Sequence, residues 1–148
     1  MAYCADTNVL VRWTEPGTDA CEQARAAIKA LHAKGETVYI TPQNIVEFWC
    51  VATRPVEVNG LGLTPDQANS EASRLEILFP LLPDTPAIYP EWRRLVVTSK
   101  TTGARTHDAR LAAALYVHGI THILTFNVGD FRRFDQLTAV HPADVPMA

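Results

Sequence analysis

The stretch THDARLAAALYVHGITHILTFN, residues 106–127, decides the fold. Leu111, Ala112 and Leu115 recur on one side of a helix expected over Thr106–Val117, and Gly119 supplies its stop. Ile120–Phe126, rich in β-branched and aromatic residues, then reads as the clearest strand of the chain. Outward from this helix–strand unit the same alternation repeats. Ala2–Ala5 reads as a short buried strand ending at Asp6, followed by an apolar stretch, Asn8–Trp13. Thr18 or Asp19 caps a helix running to about Lys34, with Gly35 as its stop, and Thr37–Thr41 is a strand. Thr41-Pro42 and Thr64-Pro65-Asp66-Gln67 are cap-plus-proline starts for helices ending near Ala52 and Leu78, with a loop over Arg54–Gly62 between them. After a break at Pro80–Pro86, a short strand is expected near Ala87–Tyr89, a helix over Pro90–Ser99, and a last strand near Thr138–His141. Strands alternating with helices indicate an α/β domain around a mostly parallel sheet, with more helix than strand.

Composition suits one such domain spanning residues 1–148. With 47% hydrophobic and 20% charged residues the chain is neither a disordered tail nor a fibrous repeat. Its formal net charge of −3 argues against a protein that coats nucleic acid through a basic surface. Cys4, Cys21 and Cys50 sit among apolar or helix-forming neighbours without metal-ligand spacing, and read as small buried hydrophobes in a reducing cytoplasm. The start of the chain lacks a basic n-region and meets an aspartate at position 6, so no secretory signal is expected. No apolar run approaches the ~20 residues of a membrane span. A soluble, cytoplasmic chain with no membrane partner is the expectation.

The placement of the acids carries the chemistry. Sites in open parallel sheets form beyond the carboxyl ends of the strands. The first strand ends in Asp6-Thr7-Asn8 and the last long one in Thr125-Phe126-Asn127, with Asp130 three residues on, so both clusters belong at one sheet edge. Glu47 interrupts Ile45-Val46-Glu47-Phe48-Trp49-Cys50-Val51, a segment otherwise dense in core residues. Asp108 lies in line with Leu111, Ala112 and Leu115 and in the first turn of its helix, where the dipole favours an anion. Taken singly, Asp6 and Asp130 also suit turns or caps, Asp108 a first-turn acid, and Glu47 an ion pair. Gathered together, several carboxylates repel one another unless a cation lies between them. Oxygen ligands without His or Cys at zinc spacing favour Mg²⁺ or Mn²⁺, an ion suited to phosphodiester hydrolysis.

Ala5-Asp6-Thr7-Asn8-Val9-Leu10, Glu47-Phe48, His107-Asp108-Ala109-Arg110-Leu111-Ala112-Ala113 and Leu124-Thr125-Phe126-Asn127 with Asp130-Phe131 together resemble the PIN-domain nucleases, above all the VapC-type toxins of type II toxin–antitoxin pairs. The resemblance implies a three-layer α/β/α sandwich with a central, mostly parallel sheet of four to five strands. It implies an endoribonuclease with one or two Mg²⁺ or Mn²⁺ ions, inhibited by a cognate antitoxin and usually homodimeric. Asp6, Glu47 and Asp108 match the three acids such proteins share most firmly, and Thr125 the Ser or Thr after the penultimate strand. The fourth acid falls at Asn127 or Asp130; Asp130 is chosen as the acid and Asn127 as a supporting ligand, beside Thr7 and Asn8.

On this reading Asp6 and Asp108 are the principal metal ligands, Glu47 completes the cluster or orients the attacking water, and Asp130 holds a second ion if one binds. From residue 85 onward there are 7 Lys+Arg against 5 Asp+Glu, and 6 against 11 before it, so cations for an RNA substrate fall in the C-terminal half. Arg110, directly after the Asp108 motif, is the candidate contact to phosphate or to a partner's carboxylate. Setting aside Asp6, Glu47, Asp108 and Asp130 turns the net charge from −3 to +1, so the acidity is largely that of one pocket. The rival readings are a catalytically weak PIN-like module binding protein or RNA, with Trp92, Val96, Val97 and the Phe48/Trp49 pair as surfaces, and a phospho-acceptor domain, for which Asp6-Thr7-Asn8 lacks the second acid.

Overall fold

The structure is a computed structural model and describes residues 1–147. Four strands, β1 (Ala2–Ala5), β2 (Thr37–Tyr39), β3 (His122–Leu124) and β4 (Thr138–Val140), form one sheet in the order β2-β1-β3-β4, and every pairing is parallel. Parallel neighbours need crossovers. These are supplied by α1 (Thr7–Trp13), α2 (Asp19–Ala33), α3 (Pro42–Thr53), α4 (Pro65–Leu78), α5 (Ile88–Thr98) and α6 (Arg105–Val117).

The period of two along each strand sends neighbouring side chains to opposite faces, and the core divides accordingly. Ala5 and Leu124 pack with Val9, Leu10, Ile28, Leu31, Phe48, Leu75 and Phe79 from α1–α4 and the chain just after α4. Cys4 and Ile123 pack on the other face with Leu95, Leu111, Leu115, Phe131 and Phe134. The result is the expected three-layer arrangement. In α3 the spacing Asn44, Phe48, Ala52 defines the buried stripe, which leaves Glu47 half-buried at its margin and Cys50 exposed on the far side. Cys50 thus departs from the buried-hydrophobe reading that Cys4 and Cys21 obey. Phe48 is wholly core, while Val97 of α5 is exposed.

The starts of α3 and α4 follow their sequence signals. Thr41 and Thr64 accept from the backbone N–H groups of Asn44 and Gln67, and each of those side chains answers back to its cap. The strand expected near Ala87–Tyr89 is instead the entry to α5. Pro90 falls in its first turn, where the missing N–H costs nothing, and the Ile88 N–H bonds the Thr85 carbonyl at 3.1 Å. The β2 edge is met by Pro80–Leu82, where Leu82 N–H donates to the Ile40 carbonyl at 2.8 Å. Strands are shorter than the sequence suggests: Ile120–Phe126 contracts to His122–Leu124, beyond which the Thr125 N–H still donates to the Val140 carbonyl at 2.9 Å and Phe126 packs against the core. Among the described residues no helix is long and apolar enough to cross a membrane.

Candidate active site

The site grows from adjacent carboxyl ends of β1 and β3. Cys4 and Ala5 pair with Ile123 and Leu124, and the Asp6 N–H continues the ladder to the Leu124 carbonyl at 2.9 Å. The next side chain, Asp6, caps α1: one carboxylate oxygen accepts from the Thr7 N–H at 2.8 Å. Its other oxygen accepts from the Thr125 hydroxyl at 2.8 Å and the Asn8 amide at 3.3 Å. Asn8 returns its carbonyl oxygen to the Phe126 N–H at 3.2 Å, which ties the two strand ends together. Thr125 is fully buried, so its hydroxyl fixes the carboxylate from beneath.

Glu47 arrives from α3. It accepts from the Thr7 hydroxyl at 2.8 Å and from the Gln43 amide at 3.3 Å. Thr7 in turn accepts from the amide of Asn44 at 3.2 Å, a fully buried residue that also caps α3 through Thr41. Buried polar groups are retained when every bond is made, and this chain from Thr41 through Asn44 and Thr7 to Glu47 meets that condition. Asp108 enters from the first turn of α6 and Asp130 from a 3₁₀ turn after β3. Arg105 bridges that pair, bonded to Asp130 and 3.8 Å from Asp108.

Asp6, Thr7, Asn8, Glu47, Asp108, Asn127 and Asp130 line one open cavity of about 400 Å³. Electrostatics record the crowding. Burial pushes the Asp6 carboxyl up to about 6; the hydrogen bonds from Thr125 and Thr7 oppose the rise, and the charges of Glu47 and Asp108 add to it. Burial also raises Asp108, with the charge of Asp130 next in weight and Arg105 pulling the other way. Thr125 stands behind the cavity wall rather than in it. Arg110 lies outside this cavity, 3.1 Å from the Gln43 side-chain oxygen and 3.5 Å from Asp84. Gln43 and Asn44 have no role assigned from the sequence, and Arg105 counts there only among the cations of the C-terminal half, where the structure pairs it with Asp130 and Asp108. Asn44 left a signal in the sequence, as the third residue of a helix opened by Thr41.

Among the described residues no three acid, imidazole or thiol groups converge as a ready metal cage. The oxygens of Asp6, Glu47 and Asp130 are bonded to protein donors. The donor set nevertheless fits a hard divalent ion. Mg²⁺ keeps several waters and needs only one or two carboxylates, and here acids and amides without His or Cys share a roomy cavity with Arg12, Arg54, Val11 and Val51, and two of its carboxyls are raised partly by their neighbours' charges.

The chain belongs to the PIN domain family, which its sequence matches over residues 3–137. No curated protein sequence matches the chain significantly. Among solved structures, a chain of the VapBC2 complex of Rickettsia felis, crystallised with a DNA fragment from its promoter, superposes with a TM-score of 0.71 at 16% identity, covering 95% of this chain and 98% of that one. VapBC-1 of nontypeable Haemophilus influenzae gives 0.70 at 16% identity, with 96% and 98% covered. VapC20 of Mycobacterium tuberculosis, described as a sarcin–ricin loop cleaving toxin, gives 0.58 at 19% identity, with 82% and 86% covered. At these identities the likeness is one of fold.

Proposed function

We propose that this chain is a Mg²⁺- or Mn²⁺-dependent endoribonuclease, the toxin of a toxin–antitoxin pair, held inactive by a cognate antitoxin. The observation that carries the reading is the convergence of Asp6, Glu47, Asp108 and Asp130 on one cavity at the carboxyl edge of a PIN fold. The VapBC complexes and the RNA-cleaving toxin among its structural neighbours support the partner and the substrate class. A homodimer is part of the same reading.

Asp6 and Asp108 would hold the ion, with Asp130 and the amide of Asn127 beside them. When bound, it neutralises charge developing on the phosphoryl oxygens and makes water more acidic. The chain supplies the rest. Thr125, Asn8 and the Thr7 N–H fix the direction of Asp6. Glu47, steadied by Thr7 and Gln43, orients the water that attacks phosphorus and accepts its proton while the bond from phosphorus to the departing ribose oxygen breaks, that oxygen taking a proton from solvent. The test is incubation of the antitoxin-free protein with a mixed RNA pool. Cleavage is expected in Mg²⁺ or Mn²⁺ and is lost in EDTA; cleavage undiminished in EDTA, or none with either ion, rejects the reading.

Arg105 occupies carboxylate oxygens that an ion would use, so the two compete. Arg105→Gln is expected to tighten Mn²⁺ binding about fivefold, the equivalent of ~1 kcal/mol for a partly exposed ion pair. Calorimetric titration of both proteins measures this directly, and equal affinities would remove Arg105 from the metal balance.

A further inference from the structure

The acidic cavity is the first of three in a row. Glu47 lines both it and a second cavity of about 360 Å³, and Arg110 lines both the second and a third of about 310 Å³ walled by Thr85, Ile88, Tyr89 and Trp92. A polar relay runs along the row: Glu47 to Gln43 at 3.3 Å, Gln43 to Arg110 at 3.1 Å, and Arg110 to Asp84 at 3.5 Å.

The third cavity has the chemistry of a base pocket. The Tyr89 and Trp92 rings lie 29° from parallel, with centroids 6.0 Å apart. Tyr89 is 61% exposed, with the Arg93 guanidinium over its ring at 5.9 Å, and the Trp92 ring is fixed by its indole N–H, which donates to the Thr106 carbonyl at 2.9 Å. Aromatic faces of this kind take up unstacked bases of single strands. The Thr85 hydroxyl, in the same wall, is buried without a hydrogen-bond partner in the structure. An unmade bond at a buried hydroxyl costs free energy, which a polar base edge recovers once the hydroxyl, closed to solvent as placed, rotates toward the cavity. Arg110, on the near side, touches only Gln43 and Asp84 through its guanidinium among the described residues, which leaves N–H donors for a phosphate.

We propose that the Thr85–Tyr89–Trp92 cavity is a nucleobase subsite for single-stranded RNA, with Arg110 holding a phosphate between that base and the scissile bond. The inference rests on the ribonuclease reading and adds to it a place where a base of the substrate is gripped. It gives the exposed aromatic on α5 a role in substrate choice.

The test compares a labelled octauridylate with an abasic ribose-phosphate octamer of equal charge, by fluorescence anisotropy in Mg²⁺. The Asp108→Asn background prevents cutting and lowers the negative charge of the cavity. The base-bearing strand is expected to bind about tenfold tighter than the abasic one, as stacking of a single base allows. Adding Tyr89→Ala, a change at an exposed position, is expected to erase that advantage while leaving abasic binding as it was; adding Arg110→Gln weakens both strands alike. An unchanged ratio in the Tyr89→Ala protein overturns the subsite. If the ratio is unchanged and sedimentation shows a loss of self-association, the face belongs to a protein contact. Binding of neither strand, together with no cleavage by the wild type, overturns the ribonuclease reading as well.

Discussion

Asp6→Asn and Asp108→Asn are each expected to lower RNA cleavage at least about a hundredfold with the fold intact, the scale reached when even outer partners of a metal site are removed. Asp6 carries most of the argument because its surroundings leave it one orientation. Thr125 and Asn8 grip one oxygen and the Thr7 N–H the other, so the charge is aimed rather than merely present. An amide keeps the shape and the Thr7 bond but offers an ion no charge. Asp108 sits across the cavity on a different element, so the two substitutions test separate walls of one site. Rates on a purified RNA at saturating Mg²⁺, with circular dichroism spectra of both variants, make the measurement. Wild-type cleavage by either variant would remove that residue from the machinery.

Some of this site was readable in the chain and some was not, for physical reasons. A carboxylate in line with Leu111, Ala112 and Leu115, or set inside Ile45–Val51, is costly unless something uses it, so Asp108 and Glu47 announced themselves. Asp6 and Thr125 followed from where strands end. The alternating helix–strand pattern was equally legible, since each period is local. Asp130 is chosen as the acid with Asn127 in support, and both side chains line the cavity. The pairing of Arg105 with Asp130, which lies 25 residues away beyond β3, has no local signature, whereas its approach to Asp108 follows the i,i+3 spacing of one helix. The Gln43 relay to Arg110 spans 67 residues and is likewise a product of packing α3 beside α6. Ile88-Tyr89 misled for the opposite reason. Two strand-favouring residues were overruled by Pro90, whose fixed backbone suits the first turn of a helix.

The second large effect is on stability, and its sign is opposite to that on activity. The folded protein holds the Asp6 proton up to about 6, against 3.8 for an ordinary aspartate. Between those values the folded state binds the proton and the unfolded chain does not, so stability falls as pH rises through the interval. Each pH unit of that interval is worth about 1.4 kcal/mol, so ionised Asp6 weakens the metal-free fold by an amount on the order of 2–3 kcal/mol at neutral pH. Asp6→Asn removes that charge. Part of the gain is lost because the new amide N–H group faces the Asn8 amide, a donor against a donor. In EDTA at pH 7.5 the variant is therefore expected to unfold at a higher temperature than the wild type, and the gap is expected to close near pH 3.5, below the ordinary aspartate value, where Asp6 is protonated in the folded protein and the unfolded chain alike. Saturating Mg²⁺ should narrow the gap at pH 7.5 by stabilising the wild type more, since a ligand raises stability in proportion to the logarithm of its excess over Kd. Denaturation curves at the two pH values, with and without the ion, give all four comparisons. Parallel pH profiles for the two proteins in EDTA would mean that Asp6 carries no such strain. A gap that opens only at neutral pH and shrinks on adding Mg²⁺ would mean that the carboxylate is held in place at the expense of the fold, with the ion returning the difference.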